Sequence, residues 1–170
     1  KQKNSKEVLV QRTLTERSDE IYRNADDPVG GNPDGDVTLV EFFDYRCGYC
    51  KRVHPSVMKL IREDGNIRYV YKEFPILGPQ SVTASRASLA VWNMAPEKYH
   101  AFHDILMTDR GAITEAKVIK VAEKLGIKPA ALKKAMADKT IDTVLARNFK
   151  LAEALNINGT PAFVIGDQLV

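Results

Sequence analysis

Hydrophobic and polar positions change their period several times along this chain. Val37 to Tyr45 carries apolar side chains on both alternating faces, with Val37, Leu39 and Phe43 on one and Val40 and Phe42 on the other. That pattern predicts a central strand buried on both sides. Glu41 stands inside it. From Gly48 to Arg62 the spacing becomes helical, with Val53, Val57, Leu60 and Ile61 as the apolar stripe, and Asp64-Gly65-Asn66 turns the chain into a second predicted strand, Ile67 to Phe74. A strand, a helical crossover and a strand predict a parallel pair with a right-handed connection.

From Gly78 to about Asn156 the pattern is helical almost throughout, broken at Ala95-Pro96, Arg110-Gly111, Gly126 to Pro129 and Asp138 to Thr140. Four or five helices are expected there. After Asn158-Gly159-Thr160-Pro161, the run Ala162 to Ile165, the turn Gly166-Asp167 and Gln168-Leu169-Val170 predict a hairpin whose second strand stops short. At the other end, Ser5 to Tyr22 reads as a polar helix. Its apolar positions, Val8, Leu9, Leu14 and Ile21, make too narrow a stripe for a broad core contact, so it is expected to pack outside its own domain. The turn formers from Asp26 to Asp36 predict a linker or a domain edge, and the globular body is expected to begin near Val37.

With 170 residues, the chain has room for one domain of moderate size plus an appendage. Lys plus Arg is 25 and Asp plus Glu is 22, a balance of +3 with no long basic block, so nucleic-acid binding by bulk charge has little support. No apolar run approaches the roughly 20 residues of a membrane-spanning helix. The chain begins with Lys1 rather than Met, so a processed or trimmed form is expected.

Only two cysteines occur, and they sit together as Cys47-Gly48-Tyr49-Cys50. A bridge between them closes almost no loop and stabilises little, so the pair is placed for chemistry. At a strand-to-helix junction the free N–H groups and positive end of the helix favour a thiolate, which makes Cys47 the expected nucleophile. Cys50, one turn on and facing inward, is the expected resolving partner. Lys51 and Arg52 are positioned to add positive field. Glu41, a carboxylate in a strand apolar on both faces, is expected to hold its proton unusually firmly and to exchange it with Cys50. Pro161 forfeits a ladder hydrogen bond unless it opens the last strand or sits in a special turn.

The segment Val40-Glu41-Phe42-Phe43-Asp44-Tyr45-Arg46-Cys47-Gly48-Tyr49-Cys50 resembles the active-site strand and helix start of the DsbA-like bacterial thiol–disulfide oxidoreductases. Glu41 six residues before Cys47, Thr160-Pro161 before the last hairpin, and the long helical stretch between them agree with that family, as does Pro55 within the active-site helix. The resemblance implies an α/β thioredoxin fold with an inserted helical domain and an N-terminal helical appendage. The expected division is 1–36 for the N-terminal helix and linker, 37–77 with 157–170 for the thioredoxin-like domain, and 78–156 for the inserted helical domain. It further implies a cis bond before Pro161, and a Thr160 backbone free to pair with an extended substrate segment beside Cys47. Gly48, Tyr49, Thr160 and Pro161 are then substrate-binding positions. Gly48-Tyr49, Thr160 and His54 are closer to the DsbC-type isomerases than to the strong oxidase, and His54 is a candidate for tuning the pair. The motif leaves oxidase, isomerase and reductase directions open.

The partners implied are unfolded or partly folded proteins with cysteines and a redox partner protein, and no cofactor is expected. Residues 5–22 are a candidate for homo-oligomer contact, because isomerisation gains from linked active sites. The compartment implied is periplasmic or otherwise extracytoplasmic. The rival reading is a non-catalytic thioredoxin-like module that binds or delivers copper or zinc. Zinc needs four ligands, and beyond the cysteines only His54, His100 and His103 are available, while Met58, Met94, Met107 and Met136 form no cluster. No metal ligand set is therefore assigned.

Overall fold

Leu39 and Val40 point to opposite sides of one sheet, and both are buried. The computed structural model describes residues 4–170. The sheet has five strands in the order β1-β3-β2-β4-β5, formed by β1 (Val29–Gly31), β2 (Val37–Phe43), β3 (Ile67–Glu73), β4 (Ala162–Ile165) and β5 (Gln168–Leu169). β2 and β3 are parallel, as the crossover helix α3 (Gly48–Asp64) predicts, and the other neighbouring pairs are antiparallel.

Five α-helices fill the stretch between β3 and β4: α4 (Pro79–Met94), α5 (Tyr99–Thr108), α6 (Glu115–Lys124), α7 (Pro129–Met136) and α8 (Lys139–Ala154). Leu39, Phe43, Tyr69 and Tyr71 face α3 and these helices in one apolar cluster. The opposite face, with Val40, Phe42, Val70 and Val164, forms a second cluster. α8 serves both, giving Ile141 and Val144 to the first and Leu151 and Ala152 to the second.

The N-terminal segment departs from the expectation. It forms α1 (Ser5–Glu16) and α2 (Ser18–Tyr22), broken at Arg17, and it covers the second sheet face of its own chain. Leu14 and Ile21 are buried there, each contributing about 1.5–3 kcal/mol by burial. Two apolar residues at the right places suffice, because the sheet supplies the rest of the contact. Val8 and Leu9, nearer the start of α1, stay exposed.

Of the two readings of 26–36, a domain edge fits and a free linker does not, and the folded body begins before Val37. Val29, Gly30 and Gly31 pair with Val70, Tyr69 and Arg68 as an edge strand. A three-residue strand with two glycines has no alternation to read. Those glycines are needed for close approach: a Cβ on Gly31, at φ +64°, would lie 2.4 Å from the Ile67 carbonyl oxygen, and one on Gly30 would lie 2.8 Å from the Tyr71 hydroxyl. Beneath this segment the buried Lys72 ammonium forms an ion pair with the buried Asp27 carboxylate and donates to the Glu20 carbonyl at 2.7 Å.

Candidate active site

β2 ends at Phe43, and the turn Asp44-Tyr45-Arg46 delivers Cys47 to the N-cap of α3. Asp44 holds that turn. Its wholly buried carboxylate accepts from the Arg46 N–H at 2.7 Å, the Ser81 hydroxyl at 2.8 Å, and the Ile76 and Leu77 N–H groups at 2.8 and 3.0 Å. One acid thereby fastens the motif to the loop after β3 and to the start of α4. It went unassigned in the sequence, although a carboxylate directly after Phe42-Phe43 was the available signal.

The Cys47 Sγ accepts from the Cys50 N–H at 3.2 Å, in the manner of an N-cap side chain. Its thiol donates to the Thr160 carbonyl at 3.5 Å. The two cysteines are unbonded. Cys47 retains 8% exposure, whereas Cys50 has none. Burial, reinforced by the adjacent Cys47 sulfur, pushes the Cys50 thiol well above the ordinary thiol range. The Thr160-Pro161 peptide bond is cis, and β4 starts directly after it.

Glu41 is 4% exposed and lies on the α3 side of β2. Burial pushes its carboxyl up to about 7, against the opposing effect of the Tyr69 hydroxyl, which donates to it. Local pattern offered no means to assign Tyr69 as this polar partner. Tyr49 is 57% exposed, with the Arg52 guanidinium 5.4 Å from its ring centre. Lys51 does not stand free beside the sulfurs. Its ammonium caps the end of α5, donating to the Leu106 and Asp109 carbonyls at 2.8 and 2.6 Å, and burial lowers its proton affinity.

His54 is brought to the α5 side of α3 and not to the sulfurs. Its Nε2 lies 2.6 Å from Asp104 Oδ1, and its ring packs edge-on to His103 at 5.4 Å. His103 Nδ1 lies 2.8 Å from the Tyr45 hydroxyl. Tyr45 and Tyr99 donate to Glu73 Oε2 at 3.0 and 2.6 Å, and Ser85 donates to Oε1 at 2.8 Å. Glu73 has no exposure, and burial pushes its carboxyl up to about 8 despite these donors. This network beneath the motif escaped sequence reading because its members come from four separated segments. His100 joins the rim through Tyr71, its Nδ1 2.6 Å from that hydroxyl.

Among the described residues, no group of three or more His, Cys, Asp or Glu side chains is arranged to hold a metal ion. Nor is any described helix long and apolar enough to cross a membrane.

The family model described as Thioredoxin matches residues 23–170. The chain belongs to the thioredoxin family. Within that family it is similar to a thioredoxin-like oxidoreductase from Silicibacter pomeroyi, with 43% identity over 89% of this chain and 87% of that one, at a TM-score of 0.85. The Wolbachia pipientis thiol-disulfide exchange protein alpha-DsbA2 superposes with a TM-score of 0.89 at 28% identity, covering 99% of this chain and 90% of that one. Disulfide bond formation protein D of Bacillus subtilis is 28% identical over 153 residues, 84% of this chain and 69% of that protein. The names of the Wolbachia and Bacillus relatives agree with the DsbA-like resemblance carried by Cys47, Cys50 and their flanking strand. The chain spans only 22% of the length of two further curated relatives, Na(+)/H(+) antiporters NhaA of Salinispora arenicola and Salinispora tropica.

Proposed function

We propose that this protein exchanges disulfides with cysteine-containing polypeptides through Cys47 and Cys50. The observation that carries the reading is the contrast between the two sulfurs. Cys47 sits at a helix start beside the Thr160 carbonyl, while Cys50 is wholly buried behind it. In the reducing direction the Cys47 thiolate attacks a substrate S–S bond, forms a mixed disulfide and releases one substrate thiolate. Cys50 then gives its proton to the Glu41 carboxylate and attacks the Cys47 sulfur. A Cys47–Cys50 disulfide forms and the second substrate thiolate leaves. The reverse sequence donates the disulfide. Electrons pass only between sulfurs.

Glu41 suits the proton step because a carboxyl that titrates near 7 can both take and return a proton at neutral pH. Gly48, Tyr49, Thr160 and Pro161 form the substrate-facing rim. His54, held by Asp104, acts on the pair only through α3. Such chemistry belongs in an oxidising, extracytoplasmic compartment with a redox partner protein. Association of copies uses the exposed Val8 and Leu9 of α1, because Leu14 and Ile21 are committed to the sheet. The deciding experiment mixes the reduced protein with a small disulfide-bonded protein and measures the thiols released. Cys47–Cys50 oxidation matched one for one by substrate thiol pairs is expected, and its absence overturns the reading. Equilibration with glutathione then gives the potential of the pair and the direction it favours.

A further inference from the structure

We propose that the α5 side of the active site is a docking surface for acidic polypeptide, which selects substrates whose reacting cysteine is flanked by Asp or Glu. The proposal rests on the exchange of disulfides through Cys47. Two adjoining clefts, of about 470 and 610 Å³, run along this side of the motif and share Lys51 and Arg110. Arg46 lines the first and Arg52, with Gly48, lines the second. Arg46 and Gly48 are the residues on either side of Cys47, so three exposed guanidinium groups stand along clefts that flank the motif.

Their charge is not neutralised by the chain itself. Among the described residues, none of Arg46, Arg52 and Arg110 forms an ion pair with a carboxylate. The acids close by have other partners: Asp44 is buried under four donors, Asp104 pairs with His54, and Asp109 pairs with Lys117. The chain as a whole is only +3, so three unpaired arginines along two adjoining clefts are a local concentration of charge. Two of them are also held in place. Arg46 donates to the Leu77 carbonyl at 2.6 Å, and Arg52 lies over the exposed Tyr49 ring. An extended peptide advances about 3.3 Å per residue, so carboxylates one to four positions from a cysteine held at Cys47 fall along these clefts. A planar guanidinium matches a carboxylate in two parallel hydrogen bonds.

The test uses three peptides of equal length, each carrying a chromophoric mixed disulfide and flanked on both sides by Glu, Gln or Lys. Each kcat/KM is divided by the rate of the same peptide with a small uncharged dithiol, which removes differences in intrinsic reactivity. At low salt the Glu peptide is expected to be favoured about tenfold over the Lys peptide, falling towards parity at about 0.5 M salt as exposed charges are screened. In the double variant Arg52→Gln, Arg110→Gln the preference is expected to drop to about threefold or less. Equal rates for Glu and Lys peptides in the unaltered protein, or a preference that survives the double variant, overturn the proposal while leaving the exchange reading in place. Turnover of no peptide overturns the exchange reading, and the substrate preference with it.

Discussion

The Cys47 thiol meets the Thr160 carbonyl oxygen at 3.5 Å across 113 positions of sequence. The register of the sheet produces that meeting. Phe42, near the end of β2, is paired with Ala162, the first residue of β4. In an antiparallel pair, the segment after one strand lies beside the segment before the other. The turn leading to Cys47 and the segment ending in Thr160-Pro161 are therefore brought to one edge of the sheet.

Cys47→Ser is expected to abolish exchange with a model disulfide. Cys50→Ser is expected to accumulate mixed disulfides at Cys47, since the resolving attack is lost while the first remains. Non-reducing gels and mass mapping of the captured cysteine check both. Full turnover by Cys47→Ser would remove the mechanism.

Glu41→Gln is expected to slow exchange and flatten the dependence of its rate on pH near 7. Stability changes as well. With a carboxyl raised from 4.5 to about 7, the folded state binds more protons than the unfolded state between those values, so wild-type stability falls as pH rises through that window. The variant, which lacks this loss, should gain on wild type by about 3 kcal/mol across that window. Urea unfolding of both proteins over the same pH range measures the difference, and a constant gap would count against the buried acid.

Tyr99→Phe deletes the 2.6 Å donor to Glu73 without changing the ring packing. A destabilisation of about 1–3 kcal/mol is expected. The cost should be larger at high pH than at low pH, because the lost hydroxyl favours the ionised carboxylate and Glu73 titrates near 8. Thermal unfolding on either side of that value tests this, and equal losses would mean that Glu73 stays neutral throughout.

Lys72→Ala strands the Asp27 carboxylate beneath the N-terminal segment. Breaking a buried pair from one side costs about 3–5 kcal/mol. Limited proteolysis is expected to cut near residues 23–28 in the variant well before wild type is cut. Removal of all residues before Val37 should be worse still, since β1, Leu14 and Ile21 are lost together and the part of the second sheet face that α8 leaves uncovered is laid bare. A fully folded protein starting at Val37 would contradict this account of the N-terminus.

The strand-helix unit from Val37 to Asp64, the parallel partner strand and the closing hairpin were legible from local pattern alone, because each element is long enough to show its period. The chemistry of Cys47 and Cys50 was legible for a related reason: spacing of three and a helix start are local properties. The breaks between helices α4 to α8 were equally clear from proline, glycine and capping residues.

The features that stayed hidden in the sequence depend on partners far along the chain. A narrow apolar stripe on α1 and α2 held no sign that Leu14 and Ile21 fit a sheet face, since a docking site is a property of the surface that receives it. Asp27 and Lys72 lie 45 positions apart, and neither signals the other. Glu73 is surrounded by donors from the motif turn, α4 and α5. The arginines beside Cys47 form a surface only when the end of α5 is folded against α3 through Lys51. Short-range periodicity determined the elements and the reactive pair. The tertiary structure decided what covers the sheet, which acids are buried and which arginines line one surface, because burial and electrostatic fields are sums over neighbours that only folding brings together.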